Sequence, residues 1–140
     1  MLQNHAAVQE NHDRFLRRAV QGETVWGIRN AAGFQGCESN EDEERTVLLF
    51  WSDAAYARRA VSTAFPDCVP EEISLFDFLF RWLPGMEKDN FLAGTNYDAN
   101  LFGIELEPLE LREQLVDALP DPVRADYRKR LGDALGGQSQ

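Results

Sequence analysis

The longest apolar run of the chain is Ile73–Met86, read ISLFDFLFRWLPGM, and only three polar residues and a Pro-Gly pair interrupt it. Ser74 followed three residues later by Asp77 resembles a helical capping box, and Asp77 and Arg81 are four apart, so they share one helical face. A strand is the alternative for so short an apolar run, but the cap and the Pro-Gly stop favour a helix. This run does not predict a membrane span, because a span would need about 20 apolar residues without Asp or Arg. The pattern therefore predicts a buried central helix over Ser74–Leu83.

Apolar and polar periodicity predicts further elements on the N-terminal side of this helix. The first is a helix with outward-facing Arg14, Arg17 and Arg18, and a hairpin follows it. Ser52 is suited to cap a later helix, and Asp53 complements the positive end of that helix's dipole. In chain order the predicted elements are a helix over 4–20, strands over 24–29, 34–38 and 46–51, a helix that opens at Ser52-Asp53 and ends at Pro66, and a short extended piece over 71–73.

The C-terminal side of the chain reads as a second hairpin followed by helices. Gly94 and Gly103 lie inside the predicted strands 91–95 and 101–106, which suggests a bulge or a close backbone contact. Pro108 suits a first helical position, and leucines at four-residue spacing follow it.

Groups of strands alternate with groups of helices, which predicts an α+β fold. The expected architecture is one antiparallel sheet of about five strands, with helices packed mainly on one face around the central helix. We predict a single domain over residues 1–137 and a frayed tail over 138–140, with terminal helices over 4–20 and 121–135.

Composition and charge narrow the functional classes. The chain has 140 residues, of which 44% are hydrophobic, and this is enough for one globular domain. Asp and Glu outnumber Lys and Arg by 24 to 14, and the resulting net charge of −10 repels phosphates and anionic lipid. We therefore predict no nucleic-acid partner and no membrane association. Two cysteines and a polar N-terminus without an apolar signal core predict a cytoplasmic protein.

Five stretches follow one another in a specific order: Val25-Trp26, an acidic run that leads into Phe50-Trp51-Ser52-Asp53, Trp82–Met86, Gly94–Leu101 and Glu107-Pro108. Together they resemble a family of small bacterial proteins that is catalogued as a domain of unknown function (number 2750). The resemblance spans roughly residues 20–116. It implies a bacterial, cytoplasmic, single-domain protein, and it supplies no catalytic residues.

The chain offers no recognisable catalytic or metal-binding motif. His5 and His12 are two helical turns apart and share a face, but a metal site needs three or four ligands. Cys37 and Cys68 stand in no nucleophile signature, and Asp67 beside Cys68 would raise the pKa of that thiol. We predict no metal, no cofactor and no catalytic residue, with His12 as a partly buried or surface histidine.

The loop Asn96–Asn100 is the candidate binding site, because polar and small residues alternate within it. Turn formation is the simpler interpretation, since Asn and Asp side chains close turns through their own backbone. A ligand or partner surface is the alternative. The candidate residues are Asn96, Tyr97, Asp98 and Asn100 in the loop, with Trp26 and Trp51 either as core anchors or as the lining of a pocket beside it.

A second candidate surface is the acidic loop formed by Glu41, Asp42, Glu43 and Glu44. It lacks the alternating ligands and the glycine of a calcium-binding loop. A solvated loop is the simpler interpretation, and contact with a basic partner is the alternative.

Three functions remain open at this point. The first is a non-enzymatic protein–protein interaction module whose acidic surface contacts a basic partner, for example an immunity-type protein that neutralises a basic toxin. The second is a small-ligand binder, or an enzyme, that uses the Asn96–Asn100 loop. The third is a homo-oligomeric structural unit, which would have an apparent mass above 15.9 kDa.

Overall fold

The computed structural model describes residues 2–138, with the side chains of residues 5–132. Helices and strands alternate, so the predicted α+β class is confirmed. The helices are α1 (Leu2–Gly22), α2 (Ala54–Ala64), α3 (Leu75–Asp77), α4 (Leu83–Lys88), α5 (Pro108–Ala118) and α6 (Asp121–Gln138), and a π-helical turn over Phe78–Trp82 joins α3 to α4. The strands are β1 (Thr24–Asn30), β2 (Gly33–Phe34), β3 (Gly36–Glu38), β4 (Thr46–Phe50), β5 (Val69–Ser74), β6 (Leu92–Thr95) and β7 (Ile104–Leu106). Gln138 ends α6, and the rest of the tail that was expected to fray lies outside the described residues.

The strands of the described chain form two sheets, with the orders β2-β1-β5 and β3-β4-β6-β7. A backbone bridge joins the sheets, because Trp26 N–H donates to Trp51 O at 2.7 Å and Trp51 N–H donates to Trp26 O at 2.8 Å. The neighbours β4 and β6 are parallel, and the other pairs are antiparallel. This corrects the prediction of one antiparallel sheet of about five strands.

The difference originates in β5. The sequence predicts only a short extended piece over 71–73, but the chain pairs with β1 from Val69 to Ser74. Pro70 and the two glutamates that follow it are typical of an edge strand. They interrupt the alternation of apolar and polar residues by which an interior strand is predicted. Since α2, β5 and the helical segment all lie between β4 and β6, the chain can return to the second sheet in the direction of β4.

The helical segment from α3 to α4 begins as the sequence predicts and ends later. Ser74 Oγ accepts a hydrogen bond from Asp77 N–H at 3.1 Å, and Arg81 pairs with Asp77 at 3.7 Å. The prediction that Pro84 ends the helix is wrong, because the helix continues to Lys88. The π-helical turn makes this feasible: Leu83 N–H bonds to the carbonyl five residues back, so the backbone widens where the proline ring would otherwise clash.

One side of this segment is buried and the other is not. Leu75, Phe78, Leu79 and Leu83 are at most 1% exposed, whereas Phe76 on the opposite side is 39% exposed. The outer side carries a small aromatic cluster in which the Phe76 ring stacks on Phe80 with centroids 4.4 Å apart and α6 supplies Tyr127.

Strand β4 is buried on both of its faces. Leu48 and Phe50 belong to the larger apolar cluster, which also includes residues of α1, the helical segment and α5. Val47 and Leu49 belong to a second cluster, to which α2 contributes Ala57 and Ala60. Helices therefore cover both faces of this strand, which corrects the expectation that they pack mainly on one face. None of the helices in the described part of the chain is long and apolar enough to cross a membrane.

The aromatic ring of Tyr97 packs between two glycines of the second hairpin. A Cβ atom added at Gly103 would lie 2.0 Å from Tyr97 Cδ1, and one added at Gly94 would lie 2.6 Å from Tyr97 Cε1. The close contact expected at these two glycines is therefore present, and its partner is the ring of a loop residue. The hairpin can close only because both positions lack a side chain.

We predict that Gly103→Ala lowers the free energy of unfolding by about 1–3 kcal/mol, because the added methyl group overlaps the Tyr97 ring. Urea denaturation followed by circular dichroism measures the change. The matched control is Gly85→Ala in α4, where an added Cβ meets no atom within 4 Å and alanine raises helix stability by up to about 1 kcal/mol. Equal stability of the Gly103 variant and the wild type would contradict this packing.

Candidate functional site

Polar side chains converge where the parallel strands β4 and β6 end. The carboxyl ends of parallel neighbours lie at the same edge of a sheet, so Ser52 after β4 comes close to Asn96 after β6. Helix α1 crosses this edge and adds His12. These side chains are buried although they are polar: the exposed fraction is 3% for His12, 8% for Ser52, 0% for Thr95 and 5% for Asn96.

The Asn96 side chain ties three parts of the chain together. Its Oδ1 accepts from Ser52 N–H at 2.9 Å, and its Nδ2 donates to Ser52 Oγ at 3.1 Å and to the Asn11 carbonyl oxygen at 3.2 Å. Its own N–H donates to Phe50 O at 2.9 Å. The backbone at Asn96 is left-handed, with φ +46°, which asparagine tolerates better than most residues. Asn96 therefore acts as a structural junction between α1, β4 and β6.

His12 anchors α1 from the same buried edge. One ring nitrogen, Nδ1, lies 2.7 Å from Thr95 Oγ1, and the other, Nε2, lies 2.6 Å from Gln114 Oε1. Since a carbonyl-type oxygen only accepts, Nε2 carries the proton that this second bond requires. The residue is thus a fully bonded connection between α1, β6 and α5. Within the described residues, no group of three His, Cys, Asp or Glu side chains is arranged to hold a metal ion.

An ion pair continues the network towards solvent. Arg18 Nη2 donates to Asp53 Oδ2 at 2.6 Å, and Arg18 Nε donates to both carboxylate oxygens. These bonds, helped by the hydroxyl of Ser52, hold the pKa of Asp53 below its usual range. Ser52 was expected to cap α2, but its hydroxyl instead donates to Asp53 Oδ1 at 2.6 Å, and neither side chain caps the helix.

A cleft of about 380 Å³ opens directly above this polar edge. We call it the strand-end cleft. Its walls come from α1, from α2 and from the two segments that follow β4 and β6. The lining residues are Asn11, Arg14, Trp51, Tyr56, Arg59, Ala60, Asn96, Tyr97, Asp98 and Ala99.

Three charged side chains line the strand-end cleft. Arg14 Nη1 donates to Asn11 Oδ1 at 3.0 Å, and the guanidinium of Arg59 lies over the Tyr56 ring, 5.5 Å from its centroid. Among the described residues neither arginine forms an ion pair. Asp98 Oδ1 accepts from Asn100 N–H at 2.9 Å and from Phe102 N–H at 3.0 Å, which closes the loop as an Asx turn.

The structure brings together some of the sequence-predicted site residues and separates others. Trp51 lines the cleft, but it is 1% exposed and its Nε1 donates to Tyr97 O at 3.0 Å, so it serves as a floor and not as an open stacking surface. Asn100 is exposed on the loop, and Trp26 lines a different cleft, next to Arg18 and Glu72. Of the predicted loop residues, Asn96, Tyr97 and Asp98 line the strand-end cleft, and Ala99 of the same loop lines it as well.

Sequence reasoning missed the two cleft arginines. Arg14 was expected to point outward from α1, with Arg17 and Arg18, and Arg59 carried no signal at all. Spacing along a helix shows which residues share a face, but not which outward residue faces another helix across a loop. Only the packing of α1 and α2 around the strand ends brings Arg14 and Arg59 to one cleft.

The described residues of the site include no activated nucleophile. Burial, followed by the charge of Glu105, raises the pKa of Tyr97 above its usual value, and its buried hydroxyl has no hydrogen-bond partner among the described residues. Burial also raises the pKa of Cys37, and the pKa of Cys68 is raised by burial and by Asp67, as the sequence predicts. These groups stay protonated at neutral pH, and a protonated thiol or phenol is a poor nucleophile.

The acidic loop lies away from the strand-end cleft. All four of its acidic residues, Glu41 to Glu44, are exposed, and the loop is shaped by Ser39, whose Oγ accepts from two of their backbone N–H groups. Nearby, Arg45 makes two bonds to Glu107 at 2.7 and 3.0 Å, and these keep the pKa of Glu107 below its usual range. Glu105, Glu107 and Glu110 line a cleft together with Glu41 and Asp42, so acidic residues continue beyond the loop, and Arg45 lines the same cleft.

Comparison with known proteins identifies a family of unknown function. The model of the protein family of unknown function DUF2750 matches residues 12–115. The match begins at the histidine that anchors α1 and ends within α5, so it includes β4, α2, β6 and the second half of α1, which surround the strand-end cleft. No curated protein and no solved structure matches the chain.

We predict that Asn96→Gly lowers the free energy of unfolding by about 1–3 kcal/mol, because Ser52 N–H loses its acceptor in a buried position. Asn96→Ala should cost about 1–2 kcal/mol more, since alanine does not tolerate the left-handed backbone as glycine does. Urea denaturation compares these variants with Asn100→Ala in the same loop. Asn100 is exposed, so its truncation should change the free energy of unfolding by less than about 0.5 kcal/mol. A loss at Asn96 no larger than that at Asn100 would refute the junction.

Proposed function

The chain belongs to the DUF2750 family of proteins of unknown function, and we propose that it binds a small anionic ligand in the strand-end cleft. The observation that carries the proposal is the pair Arg14 and Arg59, which line one cleft without a carboxylate partner among the described residues. Both guanidinium groups line the same cleft, so an anion that enters the cleft is attracted by two positive charges.

The chemistry of the lining supports binding of a carboxylate or phosphate group. Guanidinium groups bind such groups through paired hydrogen bonds, and the amides of Asn11 and Asn96 lie on the same cleft. A volume of about 380 Å³ is near the lower end of the range for ligand pockets, so the ligand is small.

The position of the cleft also supports ligand binding. Crevices at the carboxyl ends of parallel strands are preferred binding sites in α/β sheets, because the segments that leave the strands diverge there. In this chain the buried bonds of Asn96 and His12, together with the exposed ion pair of Asp53 with Arg18, fix those segments and both helices. The arginines therefore project from a rigid frame, which reduces the entropy lost on binding.

We expect Arg14→Gln and Arg59→Gln each to weaken anion binding about tenfold or more, since each removes a charge-assisted hydrogen bond. Thermal shift at low salt with sodium phosphate, acetate and succinate as probes, followed by calorimetry with the tightest probe, measures the effect. The matched controls are Arg17→Gln and Arg58→Gln, which remove an exposed arginine from the same helices outside the cleft. Control variants that weaken binding equally, or no binding of any probe to the wild type, would contradict the proposal.

A second candidate function is a non-enzymatic interaction module of the bacterial cytoplasm. The observation that favours it is the run of exposed acidic residues Glu41–Glu44, beside a cleft lined by Glu105, Glu107 and Glu110 in which Arg45 pairs with Glu107. A surface of one sign accelerates association with a partner of opposite charge, so the partner would be a basic protein. An immunity-type protein that masks a basic toxin is one concrete form of this proposal.

The test of this second function compares two variants with the same net charge. The first replaces Glu41, Glu43 and Glu44 by Gln and keeps Asp42, whose Oδ1 accepts from Glu44 N–H within the loop. The second replaces Glu10, Glu23 and Glu72 by Gln, and these three residues are exposed and lie outside the cleft of the acidic surface. Immobilised chains capture proteins from a bacterial lysate at low salt, and mass spectrometry identifies them. We expect the loop variant alone to lose basic partners, and equal capture by both variants would count against the acidic loop.

A further inference from the structure

The strand-end cleft presents charges of both signs to a ligand. Arg14 and Arg59 come from α1 and α2, while Asp98 comes from the loop after β6. No ion pair joins Asp98 to either arginine, although all three line the same cleft. Opposite charges that face one space without neutralising each other are complementary to a ligand that is itself dipolar.

One carboxylate oxygen of Asp98 has no hydrogen-bond partner among the described residues. Its Oδ1 accepts both loop bonds, from Asn100 N–H and Phe102 N–H, whereas Oδ2 accepts no hydrogen bond from the described residues. An ionised carboxylate can accept several bonds, so this half-used group is a strong acceptor at the rim of the cleft. The group that it favours is a donor with positive charge, such as an ammonium.

Asp98 also bears on the choice between ligand classes. A purely anionic ligand, such as phosphate or a dicarboxylate, would bind the arginines. The carboxylate of Asp98, which lines the same small cleft, would repel it. A ligand with one anionic and one cationic group satisfies both sides. The remaining walls, from Tyr56, Ala60 and Ala99, leave room for a small side chain.

We propose that the cleft binds a zwitterion of amino-acid size, with its carboxylate at Arg14 and Arg59 and its ammonium at Asp98. This inference rests on the proposed anion-binding function and specifies the class of its ligand. A free α-amino acid has this chemistry, and so does the zwitterionic end of a γ-linked peptide. The experiment below includes the free amino acids directly, and γ-glutamyl-glycine serves as the probe for the second source.

The experiment uses the full chain and matched probes. Each standard L-amino acid is compared with the carboxylic acid that lacks its α-amino group, and inorganic phosphate is the probe for a purely anionic ligand. Thermal shift selects the tightest pair, and calorimetry measures both affinities. We expect the amino acid to bind about 10- to 100-fold more tightly than its deaminated counterpart, which is the contribution of one hydrogen bond between charged groups.

Asp98→Asn tests the residue that is assigned to the ammonium. The amide Oδ1 can still accept from Asn100 and Phe102, so the turn is preserved while the negative charge is lost. We expect this variant to bind the amino acid and its deaminated counterpart with similar, weak affinity. Asp89→Asn removes an exposed carboxylate after α4, outside the cleft, and should keep the full preference.

The outcomes separate this inference from the proposed function. Equal binding of the two members of each pair by the wild type, phosphate binding tighter than any amino acid, or an unchanged preference in Asp98→Asn would overturn the zwitterion. If anion binding still depended on Arg14 and Arg59, the proposed function would stand. If no probe bound, both would fall. Should Asp98→Asn fail to fold, the wild-type comparison alone decides, because it needs no variant.

Discussion

The amide of Asn96 is the constraint on which the arrangement of this protein depends. It is 5% exposed, and its oxygen and nitrogen are both bonded to backbone or hydroxyl groups of other segments. If this buried amide lost its partners, the unsatisfied groups would destabilise the fold by more than the bonds contribute on balance. The bonds therefore hold α1, the end of β4 and the end of β6 in one geometry. The bonds of His12 likewise tie α1 to α5, and the ion pair between Arg18 and Asp53 ties α1 to the start of α2. The strand-end cleft is the space that this geometry leaves open above the sheet edge.

Much of the local structure could be predicted from the sequence because its causes are close in the chain. The Ser74 cap lies three residues before the N–H that it accepts from, and the partner of Gly94 and Gly103 is a ring in their own hairpin loop. The loop Asn96–Asn100 was singled out for its polar alternation, and it holds both the junction residue Asn96 and the cleft residue Asp98. The cap, the glycine contacts and the Asx turn of Asp98 span fewer than about ten residues, where spacing and residue type are informative. The bonds of Asn96 to Ser52 and Asn11 join distant segments, so its role as a junction could not be predicted.

What could not be predicted depends on partners that are distant in the chain. The pairing of β5 with β1 joins residues 40 to 50 positions apart, and Pro70 and the two glutamates after it interrupt the apolar alternation that would have predicted the full strand. The parallel pair β4 and β6 is also a distant one, since α2, β5 and the helical segment lie between the two strands and form the crossover that a parallel pair needs. Pro84 was misjudged for a different reason: a π-helical turn removed the clash that normally ends a helix at proline. Arg14 and Arg59 share a cleft only because both helices dock on this particular sheet edge.

The residues that hold the frame and the residues that would contact a ligand are largely separate, and this separation is a physical argument for a binding role. The frame consists of buried residues whose polar groups are bonded to other parts of the chain, namely Asn96, His12 and Ser52. Arg14 and Arg59 have no ion pair among the described residues, and Asp98 keeps one oxygen free. Arg59 is exposed, and Arg14 and Asp98 are half-buried, so water solvates these charges and their separation costs the folded state little. A rigid frame that keeps the three groups apart favours a ligand of matching charge, because little loop and side-chain entropy is lost when that ligand binds.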